Sequence, residues 1–222
     1  MTDAVLLDLD GTLSDSRPGI EAGLRAAMAE MGHPLDQAAD LGWAIGPPMV
    51  DVIARLLGPF DDPRITETVT IYRRHYAAGG WSDNTPYEGI AEALAALAGA
   101  GLQLYLATSK RIDFARQILD HFDFTRHFTG IHGMELDGTR AHKPEMIAHI
   151  LATYRLDPHH AVMVGDREFD IVGAHANGLR AIGVLWGYGS AAEFDHAGAD
   201  AVIAAPAEIL PAVTRMLAGS DR

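Results

Sequence analysis

Ala4-Val5-Leu6-Leu7-Asp8-Leu9-Asp10-Gly11-Thr12 begins with an apolar run and ends on two carboxylates and a glycine. The apolar run predicts a buried strand, and Gly11 lets the backbone turn sharply where that strand ends. Side chains two residues apart on a strand point to the same side, so Asp8 and Asp10 project together. Because two such carboxylates repel each other, the pair needs a cation or a proton between them. The segment therefore predicts a site for a divalent metal ion and covalent chemistry at a strand end.

Composition sets the limits on what the chain is expected to be. Its 222 residues suffice for one substantial core, or for a core with a small inserted domain. The formal charge of −13 argues against binding to a nucleic acid polymer or an anionic membrane. The absence of cysteine excludes disulfides, thiolate catalysis and cysteine-bound zinc. We expect a soluble cytoplasmic protein without a secretory signal, and the composition leaves the oligomeric state open.

Residues 16–85 have mostly helical patterning. Three amphipathic segments are predicted as helices, at residues 17–31, 47–57 and 63–78, with turn-forming residues between them. No strand is predicted in this block. It is therefore interpreted as a helical domain inserted after the first strand.

The rest of the chain alternates strands with helices. Strands are predicted at residues 102–107, 128–131, 161–164, 181–186 and 201–203, and helices at 89–98, 111–121, 144–154, 168–176 and 206–217. This alternation predicts an α/β fold, with a Rossmann-like doubly wound parallel sheet built from residues 1–15 and 86–222. In such sheets a ligand lies beyond the carboxyl ends of the strands.

Polar residues follow several of these predicted strands. Thr108 and Ser109 come after the second strand, and Gly165-Asp166-Arg167-Glu168-Phe169-Asp170 comes after the fourth. Lys143 precedes a helix whose N-terminus favours an anion. The chain has two lysines, Lys110 and Lys143. Lys143 is predicted at the site, whereas for Lys110 the sequence leaves an ordinary surface position equally open.

Together these motifs resemble the haloacid dehalogenase-like superfamily of phosphatases. Its four motifs match, in order, Asp8-Leu9-Asp10-Gly11-Thr12-Leu13, then Thr108, then Lys143, then Gly165-Asp166 with Asp170. The resemblance covers nearly the whole chain. It places residues 16–85 where one branch of the family carries a helical cap domain over the site.

The resemblance implies a role for each residue. Asp8 would attack phosphorus to form an aspartyl-phosphate, and Asp10 would be the general acid and base. Mg²⁺ would be held by the carboxylates of Asp8 and Asp166 and the backbone carbonyl of Asp10. Phosphoryl oxygens would be bound by Lys143, Thr108 and backbone amides near Gly11. Asp170 would lie outside the first ligand shell and orient Lys143 or a metal-bound water.

The resemblance implies a reaction but leaves several substrates open. The branch that fits is labelled 5′-nucleotidase or phosphoglycolate phosphatase-like, and 5′-nucleotidase is the first candidate. Phosphoglycolate phosphatase is the alternative, followed by a β-phosphoglucomutase-like mutase, and the rival from another class is a noncatalytic, receiver-like phospho-acceptor. Asp10 speaks against a dehalogenase, and the lack of a cap lysine against phosphonate hydrolysis.

Specificity is expected from the cap and from Ser109. The turn at Gly46 and Pro47 is predicted as a substrate loop. Trp43 and Trp81 could stack on a nucleobase, but we interpret the aromatic residues of the block mainly as the core of a small helical domain. The cap candidates considered for leaving-group contacts are Trp43, Arg55, Arg73, Arg74, Tyr76, Trp81 and Tyr87.

Overall fold

The computed structural model of the chain describes residues 3–218. Its strands are β1 (Ala4–Leu7), β2 (Ser14–Asp15), β3 (Thr85–Pro86), β4 (Gln103–Arg111), β5 (Gly130–Met134), β6 (Ala161–Gly165), β7 (Arg180–Val184) and β8 (Ala201–Ile203). Six of them form one parallel sheet in the order β5-β4-β1-β6-β7-β8. Counted within the sheet alone, this is the doubly wound order of the Rossmann fold. The predicted α/β fold class is confirmed.

Strand β1 occupies the centre of the sheet. It pairs in parallel with β4 on one side and with β6 on the other. Val5 and Leu7 pack into the core on one face of the sheet, and Ala4 and Leu6 into the core on the other face. Burial on both faces explains the continuous apolar run. The chain order reverses beside β1, so its carboxyl end opens into the crevice where such sheets bind ligands.

Helices cover both faces of the sheet and fill the insertion. They are α1 (Arg17–Glu30), α2 (Met49–Leu57), α3 (Ile65–His75), α4 (Ile90–Gly99), α5 (Ile112–His121), α6 (Lys143–Tyr154), α7 (Glu168–His175), α8 (Ala191–Ala197) and α9 (Ile209–Ala218). Helices α1 and α2 each pack on α3, around a hydrophobic core that also includes Phe114 of α5. Among the described residues, no helix is long and apolar enough to span a membrane.

The insertion leaves and rejoins the sheet domain at one place. Strands β2 and β3 pair antiparallel there, with Ser14 opposite Pro86 and Asp15 opposite Thr85. The phenol oxygen of Tyr188, from the sheet domain, accepts hydrogen bonds from the backbone N–H groups of Ser16 and Arg17, each at 3.0 Å. We propose that this ribbon is the hinge of the cap, with the domain boundaries at residues 16 and 85 as the sequence predicts.

The structure corrects several predicted elements. Strand β4 continues to Arg111, which pairs with Met134 beyond an irregularity, so Thr108 lies within the strand and not after it. Helix α8 was missed because its glycine-rich approach favours a loop, yet the Ser190 hydroxyl caps it by accepting from the Glu193 N–H. The short strand β3 lies in the block where no strand was predicted, because the chain must pair with β2 to close the insertion.

Candidate active site

The polar residues predicted for the site converge at the carboxyl edge of the sheet. Those buried there are Asp8, Asp10, Thr108, Lys143, Asp166 and Asp170. Each comes from a different position in the chain order, and the parallel topology brings them together. Asp8 and Asp10 follow β1, Asp166 follows β6, and Lys143 is the first residue of α6. Convergence of this kind is what a parallel sheet provides at its switch point.

Lys143 links two of the carboxylates. Its Nζ lies 2.8 Å from Asp8 Oδ1 and 2.6 Å from Asp170 Oδ1. It also donates a hydrogen bond to the carbonyl oxygen of Ala107 at 2.7 Å. Burial lowers the pKa of Lys143, but the two carboxylates outweigh burial, so the net shift is upward. Lys143 is therefore a charged ammonium group held in one place by three oxygen atoms.

Asp8, Asp166 and Asp170 form a buried acidic cluster. One carboxylate oxygen of each lies within 4.8 Å of those of the other two. Asp166 Oδ2 accepts a hydrogen bond from the backbone N–H of Tyr188 at 2.8 Å. Burial, followed by the charges of Asp170 and Asp8, raises the pKa of Asp166 well above its ordinary value. The cluster therefore has more negative charge than Lys143 balances, which suits a small divalent cation with oxygen ligands.

Gly11 shapes the turn beside this cluster. Its φ of +83° lies in the left-handed region, and a Cβ at this position would overlap Asp166 Oδ2. Its N–H donates to the carbonyl oxygen of Ser14 at 2.9 Å. In this conformation the Gly11 N–H is therefore not available to bind a phosphoryl oxygen, although the resemblance implies that it would be. The need for glycine follows from the close approach of the Asp166 carboxylate.

The Asp10 carboxylate has a different environment from that of Asp8. Its Oδ2 lies 3.0 Å from Lys110 Nζ, while its buried Oδ1 has no hydrogen-bond partner among the residues that the structure describes. Lys110 Nζ also donates to the Tyr76 hydroxyl of the insertion at 2.7 Å. Burial lowers the pKa of Lys110, but Asp10 and then Tyr76 shift it upward overall. Lys110 is therefore not an ordinary surface lysine, because its side chain is 7% exposed and pairs with Asp10 at the site.

A pocket lies between the insertion and the edge of the sheet. It encloses about 580 Å³ of empty space, part of it open to solvent, and both Asp8 and Asp10 line it. The predicted substrate-binding residues Gly46, Pro47 and Ser109 also line this pocket. The remaining lining residues are Ile20, Ala44, Met49, Tyr72, Arg73, Tyr76, Thr108, Lys110, Arg111, Phe114 and Met134.

The Gly46 loop is held against the sheet domain by Arg167. Arg167 Nη1 donates a hydrogen bond to the carbonyl oxygen of Ile45, and its Nε lies 2.9 Å from Glu193 Oε1. Gly46 has a φ of +105°, and a Cβ there would lie 2.9 Å from Arg167 Cγ. The loop therefore lies over the site in a position fixed by a residue of the sheet domain.

Comparison with models of known protein families identifies the family of this chain. The model of the haloacid dehalogenase-like hydrolase family matches residues 5–184 of the chain. The chain belongs to this family. The match covers the sheet from β1 to β7 together with the whole insertion.

Individual members of the family are similar over most of the chain. A 5′-nucleotidase from Pseudomonas aeruginosa is 46% identical over 84% of each chain. A plasmid phosphoglycolate phosphatase from Cupriavidus necator is 29% identical over 94% of each. The tyrosine-protein kinase PtkA from Mycobacterium tuberculosis is 42% identical, but the chain spans 63% of its length. Among solved structures, a predicted phosphatase from Clostridium acetobutylicum superposes with a TM-score of 0.91 at 33% identity, covering 97% of this chain and 99% of that one.

These matches confirm the predicted superfamily and the prediction that the chain is an enzyme of its phosphatase class. Family membership, together with the position of Asp8 directly after the first strand and before an insertion, disfavours the receiver-like alternative. The substrate, the metal and the roles of single residues are not decided by membership of a family with several chemistries.

The structure separates the cap residues considered for leaving-group contacts into those that line the pocket and those that pack elsewhere. Tyr76 and Arg73 line the pocket. Trp43 instead lies under the Arg55 guanidinium, whose carbon is 3.8 Å from its ring centroid, and Trp81 packs edge-on to His121 at 5.6 Å. Both tryptophans also pack against the core of the insertion. This arrangement agrees with the interpretation of these two aromatics as core residues.

Sequence reasoning missed several residues of the pocket wall. Tyr72, Phe114 and Met134 come from two helices and an edge strand that are distant in the chain. Their apolar character is the same as that of ordinary core residues, so no local pattern distinguishes them. Arg167 lies within the fourth motif, but its contact with Ile45 depends on a tertiary approach that no local pattern shows.

Proposed function

We propose that the protein is a Mg²⁺-dependent phosphomonoesterase that forms an aspartyl-phosphate on Asp8. The observation that carries the proposal is the ion pair between Asp8 and the buried Lys143 within an acidic cluster at the base of an open pocket. An aspartate so placed is fixed in orientation, and it lines the pocket although it is buried. Its environment also provides positive charge for the phosphoryl oxygens that it would attack.

The donor set fits magnesium. Three buried carboxylates face one ammonium group, and the raised pKa of Asp166 marks a charge that the protein alone does not neutralise. We assign the ion to the carboxylates of Asp8 and Asp166 and to the backbone carbonyl of Asp10, with Asp170 positioning Lys143. Magnesium bound there neutralises negative charge on the phosphoryl group.

The residues of the chain divide the reaction into two displacements. The Asp8 carboxylate forms a bond to phosphorus as the bond to the leaving oxygen breaks, and protonated Asp10 gives its proton to that oxygen. Asp10 then takes a proton from a water molecule that attacks the aspartyl-phosphate, which frees Asp8 and releases phosphate. Lys143 and Thr108 bind phosphoryl oxygens throughout. Asp10 Oδ1, buried without a partner among the described residues, is the oxygen we assign to the proton transfers.

For the substrate we propose a small phosphorylated metabolite, with a nucleoside 5′-monophosphate as the first candidate. Support comes from the relative named 5′-nucleotidase, which is 46% identical over 84% of each chain. Phosphoglycolate is the second candidate, supported by the Cupriavidus necator relative and by the guanidinium of Arg73 in the pocket wall. A β-phosphoglucomutase-like reaction is third. The cytoplasmic location stays a prediction.

Phosphate release from a panel of phosphorylated metabolites tests the proposal. The panel contains nucleoside 5′-monophosphates, phosphoglycolate, hexose phosphates and p-nitrophenyl phosphate, each with and without Mg²⁺. We expect Mg²⁺-dependent release, with nucleotides preferred if the first candidate is correct. No release from any ester with Mg²⁺ or another divalent metal would refute the phosphomonoesterase.

A further inference from the structure

Arg73 is an unpaired cation in the wall of the pocket. It lies on α3 of the insertion between Tyr72 and Tyr76, and all three line the pocket. Its side chain is half-buried, and no carboxylate of residues 3–218 forms an ion pair with it. The next residue along the helix, Arg74, is exposed and pairs with Glu30 away from the pocket. The two adjacent arginines therefore differ in both environment and partner.

The other cations of the pocket are already neutralised. Lys110 faces Asp10 at 3.0 Å. Arg111 donates from Nε to Asp113 Oδ1 at 2.6 Å. Burial and then the charge of Arg111 lower the pKa of Arg73, and they outweigh the opposite effect of Asp113, a carboxylate that is itself paired with Arg111. Within residues 3–218, Arg73 is thus a cation of this pocket that has no ion-pair partner of its own.

Unpaired, partly desolvated charge is costly in a folded protein, and it is commonly retained where a ligand supplies the counter-charge. Guanidinium groups suit this purpose, because their planar fork matches a carboxylate or a phosphate with two hydrogen bonds. Apolar side chains make up much of the wall near Arg73. Tyr76 packs edge-on to Phe114 at 5.0 Å and parallel to Tyr72 at 5.6 Å.

We propose that Arg73 binds a second anionic group, a carboxylate or a phosphate, on the leaving group of the substrate. The inference rests on the proposed phosphomonoesterase reaction at Asp8. It narrows the substrate class, because it favours phosphoglycolate or a nucleoside bisphosphate over a nucleoside 5′-monophosphate, whose leaving group is uncharged. The reacting phosphoryl group is held at the sheet edge by Lys143, while Arg73 recognises the opposite end of the molecule. Arg73 is then the residue that distinguishes doubly anionic esters from neutral ones.

Two matched pairs of substrates test this role. Phosphoglycolate is compared with 2-hydroxyethyl phosphate, and adenosine 3′,5′-bisphosphate with adenosine 5′-monophosphate, so that each pair differs in one anionic group. The pairs distinguish a carboxylate source from a phosphate source. Arg73→Met removes the charge, Arg73→Lys retains it, and Arg74→Met is the control on the same helix outside the pocket.

In Arg73→Met, we expect activity to be lost on the doubly anionic member of a pair and retained on the neutral member. Arg73→Met should lower kcat/KM for the preferred doubly anionic ester by about 10- to 100-fold, mainly through KM, since a charged hydrogen bond is removed. The same variant should act on the neutral partner within about twofold of wild type. Arg73→Lys should restore part of the loss, and Arg74→Met should match wild type on both.

Two results would overturn the inference. Equal losses on charged and neutral esters would mean that Arg73 serves the reacting phosphoryl group or the fold. The second result is a wild-type enzyme that releases phosphate but prefers the neutral member of both pairs. It would overturn the inference about an anionic leaving group and leave the phosphomonoesterase proposal intact. Absence of phosphate release from every ester would reject the phosphomonoesterase proposal itself, and this inference with it.

Discussion

Asp8 and Asp10 are two residues apart, yet the protein gives them different partners. Asp8 pairs with Lys143, which is fixed by Asp170 and a backbone carbonyl, whereas Asp10 pairs with Lys110 and through it with Tyr76 of the cap. The proposed nucleophile is thus held entirely by the sheet domain. The proposed acid and base is connected to the domain that would contact the leaving group, which places proton transfer where the leaving oxygen is expected.

Replacing Asp10 tests this division at the residue scale. Asp10→Asn should lower kcat by about 10²- to 10⁴-fold, because the amide can neither give nor take the proton. Magnesium binding should persist, since only the backbone carbonyl of Asp10 is assigned to the ion. Steady-state kinetics and the Mg²⁺-induced shift in thermal unfolding measure the two effects. Activity near that of wild type would show that the acid and base is another group.

The charge of Asp166 gives a second residue-scale prediction, for the metal-free protein. Because the pKa of Asp166 is raised in the folded state, its contribution to stability is full below the unfolded pKa of about 4 and is lost as the pH rises through the folded pKa. Asp166→Asn cannot ionise. Without metal, its melting temperature should exceed that of wild type by an amount that increases as the pH rises above the unfolded pKa of about 4 and levels off above the raised folded pKa.

Saturating Mg²⁺ should reverse this order for Asp166. The ion stabilises the ionised wild type and has little effect on Asp166→Asn, so the wild type should then melt higher. Thermal unfolding across the pH range, with and without the metal, is the measurement. A difference between the two proteins that does not change with pH would contradict the buried charge assigned to Asp166.

At the scale of elements, the sequence predicted the strands of the sheet more accurately than the contacts between elements that are distant in the chain. The apolar run 4–7 required burial on both faces, and this specified a central parallel strand. The extension of β4 to Arg111 depends on pairing with Met134, which no local pattern displays. Tyr72 and Trp43 have similar aromatic character, but only the position of α3 relative to β4 places Tyr72 in the pocket.

The loop at Gly46 should depend on Arg167 for its position over the site. Arg167→Met removes the hydrogen bond to Ile45 and the ion pair with Glu193, which should reduce unfolding free energy by about 1–3 kcal/mol and raise KM severalfold. Arg126→Met, which removes an exposed ion pair with Asp123, is the control and should change neither. Unchanged KM in Arg167→Met would separate the loop from substrate binding.

At the scale of the whole molecule, the acidic cluster couples metal binding to stability. A ligand that binds only the folded state stabilises it by about 2.7 kcal/mol at one hundred times its dissociation constant. For a chain of 222 residues this predicts a rise in melting temperature of about 5 to 10 °C with Mg²⁺. Sodium chloride at matched ionic strength is the control, and an equal rise with that salt would argue against a specific ion site.

In the proposed mechanism, Asp8 carries the phosphoryl group during turnover. The most direct measurement is peptide mass spectrometry of enzyme quenched in acid while it turns over substrate with Mg²⁺, on the wild type and on Asp10→Asn, in which hydrolysis of the intermediate is slowed. One hydroxylamine-sensitive phosphoryl group is expected on the peptide containing Asp8, and none in Asp8→Asn. A phosphoryl group on another residue, or phosphate release by Asp8→Asn at the wild-type rate, would contradict the proposed mechanism.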